Sequence, residues 1–560
     1  MKSQQLSLID IPFSGPDALD YFSESSGESR GEVFTKIEVV NFILDLTGWT
    51  EGATFENARL LEPSCGNGDF LVPAIERLLK AQIDQPIESL AYQIRGVEVN
   101  RKAFEVCRER VCEMLLNNGF SKKQTSYLVD AWLIHGDFLT TPLSLDFTHV
   151  IGNPPYLRQE ALPDPLLKLY RSRFETMYDR ADLYIPFYER GLTLLAPEGS
   201  LGFICADRWM KNKYGGPLRQ FISEGYHLKQ HVDFTGCPAF HDDVVAYPAV
   251  TIIQKTEGSV TLTASRPDVS SDYLNLLAAA LVEGSRHPDV TQVYHVVDGS
   301  SPWLLDQPKR LEIIRRIETR FSAIEEADCQ IGIGVASGAD KVFIRPDDEL
   351  PIESERKLPI LLTRDVKNGE ICWGGKMLMN PFDGDCPTLV DLAHWPLFSA
   401  YLEENKEAIM RRHVAKKNPQ NWFKTIDRIY PSLTNTPKLL IPDIKGEATV
   451  VYDEGRFYPH HNFYYVVSQT WDLRALQAVL LSPVAQAFVA TYSLRMRGDY
   501  LRYQAQYLRR IRIPNWEDIS KLSRQKLIAA GRSQSPVDIK LAVQEVFGLS
   551  DQDWQILAEN

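Results

Sequence analysis

Between residues 30 and 255, short apolar runs alternate with stretches whose apolar positions recur at helical spacing. The runs Ala58–Leu61, Gln93–Val99, Phe147–Gly152, Ser200–Ala206 and Ala249–Gln254 predict strands; Lys36–Thr47, Leu71–Gln82 and Lys102–Asn117 predict helices between them. Such alternation predicts an α/β fold with a mostly parallel sheet covered on both faces. From Thr256 to Asp272 the chain turns small and polar, which predicts a boundary. Beyond it come short β-like runs, many aromatics and helices near 308–319, 474–490 and 535–546, a mixed α+β pattern. The expected division is a first domain over 1–255, a linker at 256–275, a second domain over 276–515 and a C-terminal helical extension over 516–560. The apolar stretch Ala475 to Ala490 is broken by Gln477, Pro483 and Gln486, so it predicts a packed helix pair rather than a membrane span.

Composition changes this picture little. A length of 560 residues predicts two or three domains, and 44% hydrophobic with 24% charged residues is ordinary for a globular chain. The eight cysteines include no C-x-x-C pair, against both a disulfide framework and a zinc ribbon; reduced thiols, a cytoplasmic protein and no metal are expected. The N-terminus lacks the apolar core of a signal peptide. Net charge is −13, but binding to a polyanion depends on the local field rather than the total. Between Tyr401 and Pro514 there are 17 Lys and Arg against 10 Asp and Glu, a local +7 that leaves −20 elsewhere.

Candidate chemistry begins at "RLLEPSCGNGDFLVPAIERLL", a strand, a glycine turn and a helix. Gly66 and Gly68 let the backbone approach a ligand, and the next helix offers free N–H groups. Glu62 closes the strand at the edge where open α/β sheets bind ligands. Glu98 ends a second strand in "IRGVEVN", placed to accept from ribose hydroxyls; Asp137, after a third strand in "IHGDFL", could accept from an exocyclic amine. The turn is no full G-x-G-x-x-G, and Glu98 lies further on than the acid of a dinucleotide site. An adenosyl ligand without a pyrophosphate fits better.

The segments "GEVFTK" (31–36), "LEPSCGNGDFL" (61–71), "GVEVN" (96–100), "GDFL" (136–139) and "NPPY" (153–156), in that order, resemble the gamma class of DNA adenine-N6 methyltransferases, including Eco57I-like and TaqI-like enzymes. The resemblance implies a Rossmann-like class I S-adenosylmethionine-dependent methyltransferase domain followed by a target-recognition domain. It implies S-adenosylmethionine as cofactor, with Thr35, Glu62, Pro63, Gly66, Gly68, Glu98, Asp137 and Phe138 around it. Double-stranded DNA is the implied partner, with a cognate restriction endonuclease encoded separately. One departure is Lys36, where the family usually has proline.

In "VIGNPPYLRQ" two prolines must end the strand before them. The lone pair of an adenine amine is delocalised into the ring and is a poor nucleophile. Two acceptors on its hydrogens, Asn153 Oδ1 and the Pro154 carbonyl, would localise the pair and aim it, while Pro154 and Pro155 fix that carbonyl. Tyr156 offers a stacking face for a base taken out of the duplex. By the same resemblance Phe240 is a second aromatic on that base, and Asp182 and Tyr184 open a helix beside the target pocket. As bare residues these three could equally cap and pack.

Recognition is expected from the second half. "SLRMRGDYLRYQAQYLRRIRIP", Ser493 to Pro514, sets Arg495, Arg497, Arg502, Arg509, Arg510 and Arg512 against one acid, with Tyr500, Tyr503 and Tyr507 between them. Arginine forks suit phosphates and guanine edges, though a charge run can also be a solvated face. Met410–Lys424 is a second basic and aromatic stretch, and "GIGVASGADKVF" resembles the glycine-rich opening of Eco57I-like recognition regions. Adjacent His460 and His461 lack metal-ligand spacing. The expected activity is site-specific methylation of adenine N6. Cytosine N4, RNA or a protein glutamine amide stand as alternative targets, and a vestigial non-catalytic DNA-binding subunit is disfavoured by intact motifs.

Overall fold

The computed structural model describes residues 33–82, 85–144, 146–241, 247–445, 449–493 and 501–559. The chain forms two compact units that divide between Pro308 and Lys309.

Unit 1 is built on one nine-stranded sheet: β1 (Leu60–Glu62), β2 (Ile94–Glu98), β3 (Leu133–His135), β4 (Phe147–Gly152), β5 (Leu195–Ala206), β6 (His227–Asp233), β7 (Pro248–Gln254), β8 (Val260–Ser265) and β9 (Thr291–Tyr294), in the order β3-β2-β1-β4-β5-β7-β6-β8-β9. The first five are parallel, with Leu60 opposite Ile94 on one side and His149 on the other. Covered on both faces, β1 and the end of β4 are buried without a break, and they are apolar up to Glu62 and Gly152 at their ends. β7 runs antiparallel between β5 and β6. Helices Ile37–Thr47, Leu71–Gln82 and Arg101–Asn117 stand within a residue of expectation, and the last is capped by Asn100, whose side chain accepts from the Ala103 amide at 3.0 Å.

Three boundaries differ from the reading of the sequence, the first being that unit 1 runs to Pro308, past the expected start of the second domain at 276. The expected linker at 256–275 contains β8, which pairs with β6 and β9 inside the large sheet. β8 is fully buried only at Thr261 and Ala264, so its composition is as polar as a loop's. The expected extension at 516–560 is part of unit 2, where helix Lys521–Ser533 packs along Leu473–Leu481.

Unit 2 carries two four-stranded sheets, in the orders Cys329–Ile333, Phe463–Ser468, Lys438–Pro442, Val451–Asp453 and Ile344–Pro346, Lys376–Met379, Lys357–Leu361, Tyr458–Pro459. The second rests on an apolar cluster that includes Phe343, Leu378, Phe382 and Phe398. The stretch from Ala475 to Ala490 is the expected helix pair, Leu473–Leu481 and Pro483–Tyr492, bent by 60° at Ser482 and largely buried. Among the described residues no single helix is long and apolar enough to cross a membrane.

Candidate active site

β1 neighbours β2 on one side and β4 on the other, so the strand order reverses beside it, and a crevice opens past the carboxyl ends of the parallel strands. Glu62, Glu98, Asp137 and Asn153 leave four adjacent strands at that edge. The cavity there is lined by Thr35, Glu62, Pro63, Gly66, Glu98, Asp137 and Phe138, and by Asn153 and Pro155. Of the expected cofactor residues only Gly68 is not in the lining. It serves the turn instead: Gly66 and Gly68 hold φ of 51° and 90°, and the Gly68 amide donates to Cys65 O at 2.7 Å.

The polar partners in the cavity fall into two kinds. Glu98 is engaged: Oε2 accepts from the Gly66 amide at 2.8 Å and Oε1 from the Asn100 amide at 2.7 Å, so one carboxylate pins the glycine turn to β2. Asp137 is engaged as well, accepting from the Leu139 amide at 3.0 Å and Thr140 Oγ1 at 2.8 Å; burial pushes its carboxyl above the ordinary value and those two bonds work against the rise. Glu62 is different. It is buried, its Oε2 has no hydrogen-bond partner among the described residues, and burial first, with Cys107, Asp69 and Glu98 adding, holds its carboxyl well above the ordinary range. A buried acceptor left open in this way is costly unless a ligand supplies the donor.

Asn153 repeats that pattern. Its Nδ2 donates to Val33 O at 2.8 Å and to Thr35 Oγ1 at 3.2 Å. The Val33 carbonyl can only accept, which fixes the nitrogen on that side. Oδ1 is left buried without a partner among the described residues. The strap carrying Val33 and Thr35 is itself tied down: Thr35 bridges Phe240, the Lys36 amide donates to Ala239 O at 3.0 Å, and the His241 amide donates to Phe34 O at 3.1 Å. Lys36, the residue that departs from the family's proline, makes a backbone bond that proline could not. Ser64 Oγ donates to Asn153 O at 3.3 Å, linking the glycine turn to the loop after β4.

The remaining expected residues sit around this core. Pro154 is buried, and Tyr156 is half-buried with its hydroxyl 3.4 Å from Ile204 O. Its ring meets Phe240 edge to face, centroids 6.3 Å apart, so the two aromatics come together 84 residues apart in sequence. Asp182 is half-buried, and burial raises its carboxyl to about 6 against the pull of Arg158 and Arg208. Tyr184 is buried, with its hydroxyl 2.9 Å from that of Tyr214. Neither lines the cavity, but the helix they open does so through Leu183 and Phe187, and the Leu183 amide donates to Leu157 O at 2.8 Å. The sequence did not single out Leu183, Phe187, Tyr170 or the Val33 carbonyl. Nothing in an amphipathic helix marks which apolar residue faces a cavity, and a backbone oxygen carries no residue signature.

The basic stretches of unit 2 are arranged otherwise than expected. Arg495 and Arg497 lie outside the described residues. Arg502 is ion-paired with Asp443 at 2.5 Å, Arg509 with Glu325 at 2.9 Å and Arg512 with Glu326 at 3.4 Å. Tyr503 and Tyr507 are buried and present no stacking face. Arg502 is thus held by an acid rather than free, and in 501–514 Tyr503 and Tyr507 pack inward while Arg509 and Arg510 stay exposed. In the other stretch Arg412 turns inward, donating to Ser337 O at 2.7 Å and Trp422 O at 2.8 Å.

Residues 87–240 match the family described as Eco57I restriction-modification methylase, and residues 358–513 the TaqI-like C-terminal specificity domain. The chain is 50% identical to the type II methyltransferase M.PaeR7I of Pseudomonas aeruginosa over 96% of its own length and 95% of that protein's. It is 48% identical to M.XhoI of Xanthomonas vasicola, over 95% and 99%, and 40% identical to M.BstVI of Geobacillus stearothermophilus, over 96% and 99%. Among solved structures it resembles the type IIL restriction-modification enzyme MmeI in complex with DNA, with a TM-score of 0.60 at 12% identity over 93% of this chain and 75% of that one.

Proposed function

Since the chain belongs to the type II methyltransferases of restriction–modification systems, with a class I methyltransferase domain and a TaqI-like specificity domain, we propose that it transfers a methyl group from S-adenosylmethionine to N6 of an adenine turned out of duplex DNA. The observation that carries this reading is the Asn153 amide, whose nitrogen is tied to the strap and whose oxygen is left without a donor at the cofactor cavity.

The residues fit the cofactor. Glu62 Oε2 is a buried carboxylate oxygen awaiting a donor, as an ammonium would provide. Glu98, already holding Gly66 and Asn100, has further lone pairs to offer ribose hydroxyls. Phe138, Leu183 and Phe187 give the apolar walls that a purine ring needs. When bound, S-adenosylmethionine supplies an electrophilic sulfonium methyl. The chain's own work is to hold the amine: Asn153 Oδ1 accepts one N6 hydrogen, the Pro154 carbonyl the other, and the nitrogen lone pair is localised and aimed at the methyl. Both acceptors are fixed before the base arrives, so no reorganisation is needed during the reaction. Tyr156 and Phe240 form the aromatic corner against which an extruded base would rest.

Matching its relatives over nearly their whole length supports reading the chain as a modification enzyme whose cognate restriction endonuclease is a separate protein. The test is to incubate the chain with duplex DNA and S-adenosylmethionine, hydrolyse the DNA and identify the methylated nucleoside by mass spectrometry. N6-methyladenine is expected. N4-methylcytosine would move the target to the other exocyclic amine, and unmethylated DNA would overturn the proposal.

A further inference from the structure

Unit 2 holds a second basic surface, which the charge pattern of the sequence does not reveal. In the sheet of Ile344–Pro346, Lys376–Met379, Lys357–Leu361 and Tyr458–Pro459, Leu361 lies opposite Pro459 and Pro346 opposite Lys376. The chain leaving Leu361, the chain leaving Pro459 and the chain entering at Lys376 therefore meet at one end of the sheet. A cleft opens there, and its lining includes Lys341, Arg345, Arg364, Lys376, His460 and Asn462. Arg345 is ion-paired with Glu349. Lys341, Arg364 and Lys376 have no ion-pair partner among the described residues.

Asp340, the one carboxylate in the lining, accepts from Ser337 Oγ and lies 3.0 Å from His460 Nε2, and its single charge is outnumbered by Lys341, Arg364 and Lys376. The frame is stiff. The His460 amide donates to Leu361 O at 3.2 Å, the His461 amide to Val335 O at 3.0 Å and the Val335 amide to Pro459 O at 3.0 Å. Asn462 is exposed beside this frame. Three unpaired cations converge on a rigid cleft in a chain whose net charge is −13, whereas Arg502, Arg509 and Arg512 are each matched by an acid. A cleft in which cations outnumber the one carboxylate concentrates its field on an incoming polyanion.

We propose that this cleft is where unit 2 grips duplex DNA, with Lys341, Arg364 and Lys376 on backbone phosphates and the Asn462 carboxamide on an adjacent base edge. This rests on the reading that the substrate is a duplex. Lysine and arginine on phosphates set register without reading sequence, while an asparagine amide can pair with the N6 and N7 edge of adenine.

The test uses the full chain and fluorescence anisotropy with specific and random duplexes at several salt concentrations. Lys341→Gln, Arg364→Gln and Lys376→Gln should each weaken binding to every duplex alike and each lower the slope of log affinity against log salt by about one. Asn462→Ala should keep the slope and relax sequence choice at one base pair. Lys122→Gln and Lys123→Gln, exposed on a helix of unit 1, are controls expected to match wild type. Unchanged melting temperature and S-adenosylmethionine affinity would show that each variant is folded. If the three cleft variants keep wild-type slope and affinity, the cleft is not the grip; unaltered specificity in Asn462→Ala would overturn its base contact. If wild type itself shows no salt-dependent duplex binding, the proposed function fails instead.

Discussion

The cavity at the end of β1 and β4 and the arginine–tyrosine segment at 501–514 treat polar groups in opposite ways. The cavity keeps two buried acceptors open, Glu62 Oε2 and Asn153 Oδ1, each on a side chain or strand that is otherwise fixed. The segment pairs its charges with Asp443, Glu325 and Glu326 and buries Tyr503 and Tyr507. One region thus gathers open acceptors on a cavity wall, while the other pairs its guanidinium charges with acids, though Arg502 Nε and Arg512 Nε lack a hydrogen-bond partner among the described residues. Richness in charged residues is therefore a poor marker of a binding surface, and an unpartnered acceptor on a cavity wall is a better one.

The contrast can be broken at its most satisfied point first. Lys438 and Asp453 form a fully buried ion pair in unit 2 at 2.8 Å, and Lys438 Nζ also donates to Leu433 O and Thr436 O at 2.9 Å. Lys438→Met should leave Asp453 buried without its cation and cost about 3–5 kcal/mol, read by urea denaturation, with S-adenosylmethionine affinity retained. A loss below about 1 kcal/mol would show that water relieves the pair.

Glu98→Ala is next. It removes an engaged carboxylate from the cavity, and cofactor affinity measured by calorimetry should fall by about 1.5–3 kcal/mol. Unchanged affinity in a folded variant would take Glu98 out of the site and leave it a structural pin for the Gly66 turn.

Asp182 gives a pH test of the target side. Burial raises its carboxyl from the ordinary 3.8 to about 6. Between those values the folded chain binds a proton that the unfolded chain has released, so this group's contribution to stability falls as pH rises through about 4 to 6. Asp182→Asn should flatten that part of the stability profile, and an unaltered profile would mean that solvent reaches the carboxylate. The smallest effect is expected from Arg502→Ala. With Asp443 already neutralising Arg502, the salt slope of DNA binding should change by well under one unit, and a full unit would restore the segment as a phosphate contact.

Much of unit 1 was legible because parallel strands buried on both faces leave unbroken apolar runs. The parallel strands β2 and β4 stand within a residue of where those runs predict them, and so does β7, antiparallel but buried at every position except its last. β8 was missed for the converse reason, since a strand buried at only two positions is as polar as a loop. The residues at the strand ends were legible as chemistry, because Glu62, Glu98, Asp137 and the Asn153 loop each follow a recognisable strand. Their states were not. That Glu98 is engaged and Glu62 open depends on amides brought up by the glycine turn, and the orientation of Asn153 depends on a strap 118 residues earlier. In the second half, alternating Arg and Tyr read as one charged face, but the tyrosines point into the core while the arginines reach past them to acids elsewhere in unit 2.

The central claim is that Asn153 Oδ1 receives the target amine rather than holding the fold or the cofactor. Asn153→Ala should therefore be examined for both, by calorimetry with S-adenosylmethionine and by single-turnover transfer to duplex DNA. Cofactor affinity should stay within roughly twofold, while the transfer rate falls on the order of 100- to 1000-fold, the scale on which losing one preorganised polar contact to a reacting group is felt. A folded Asn153→Ala enzyme that binds the cofactor and transfers at the wild-type rate would contradict the account.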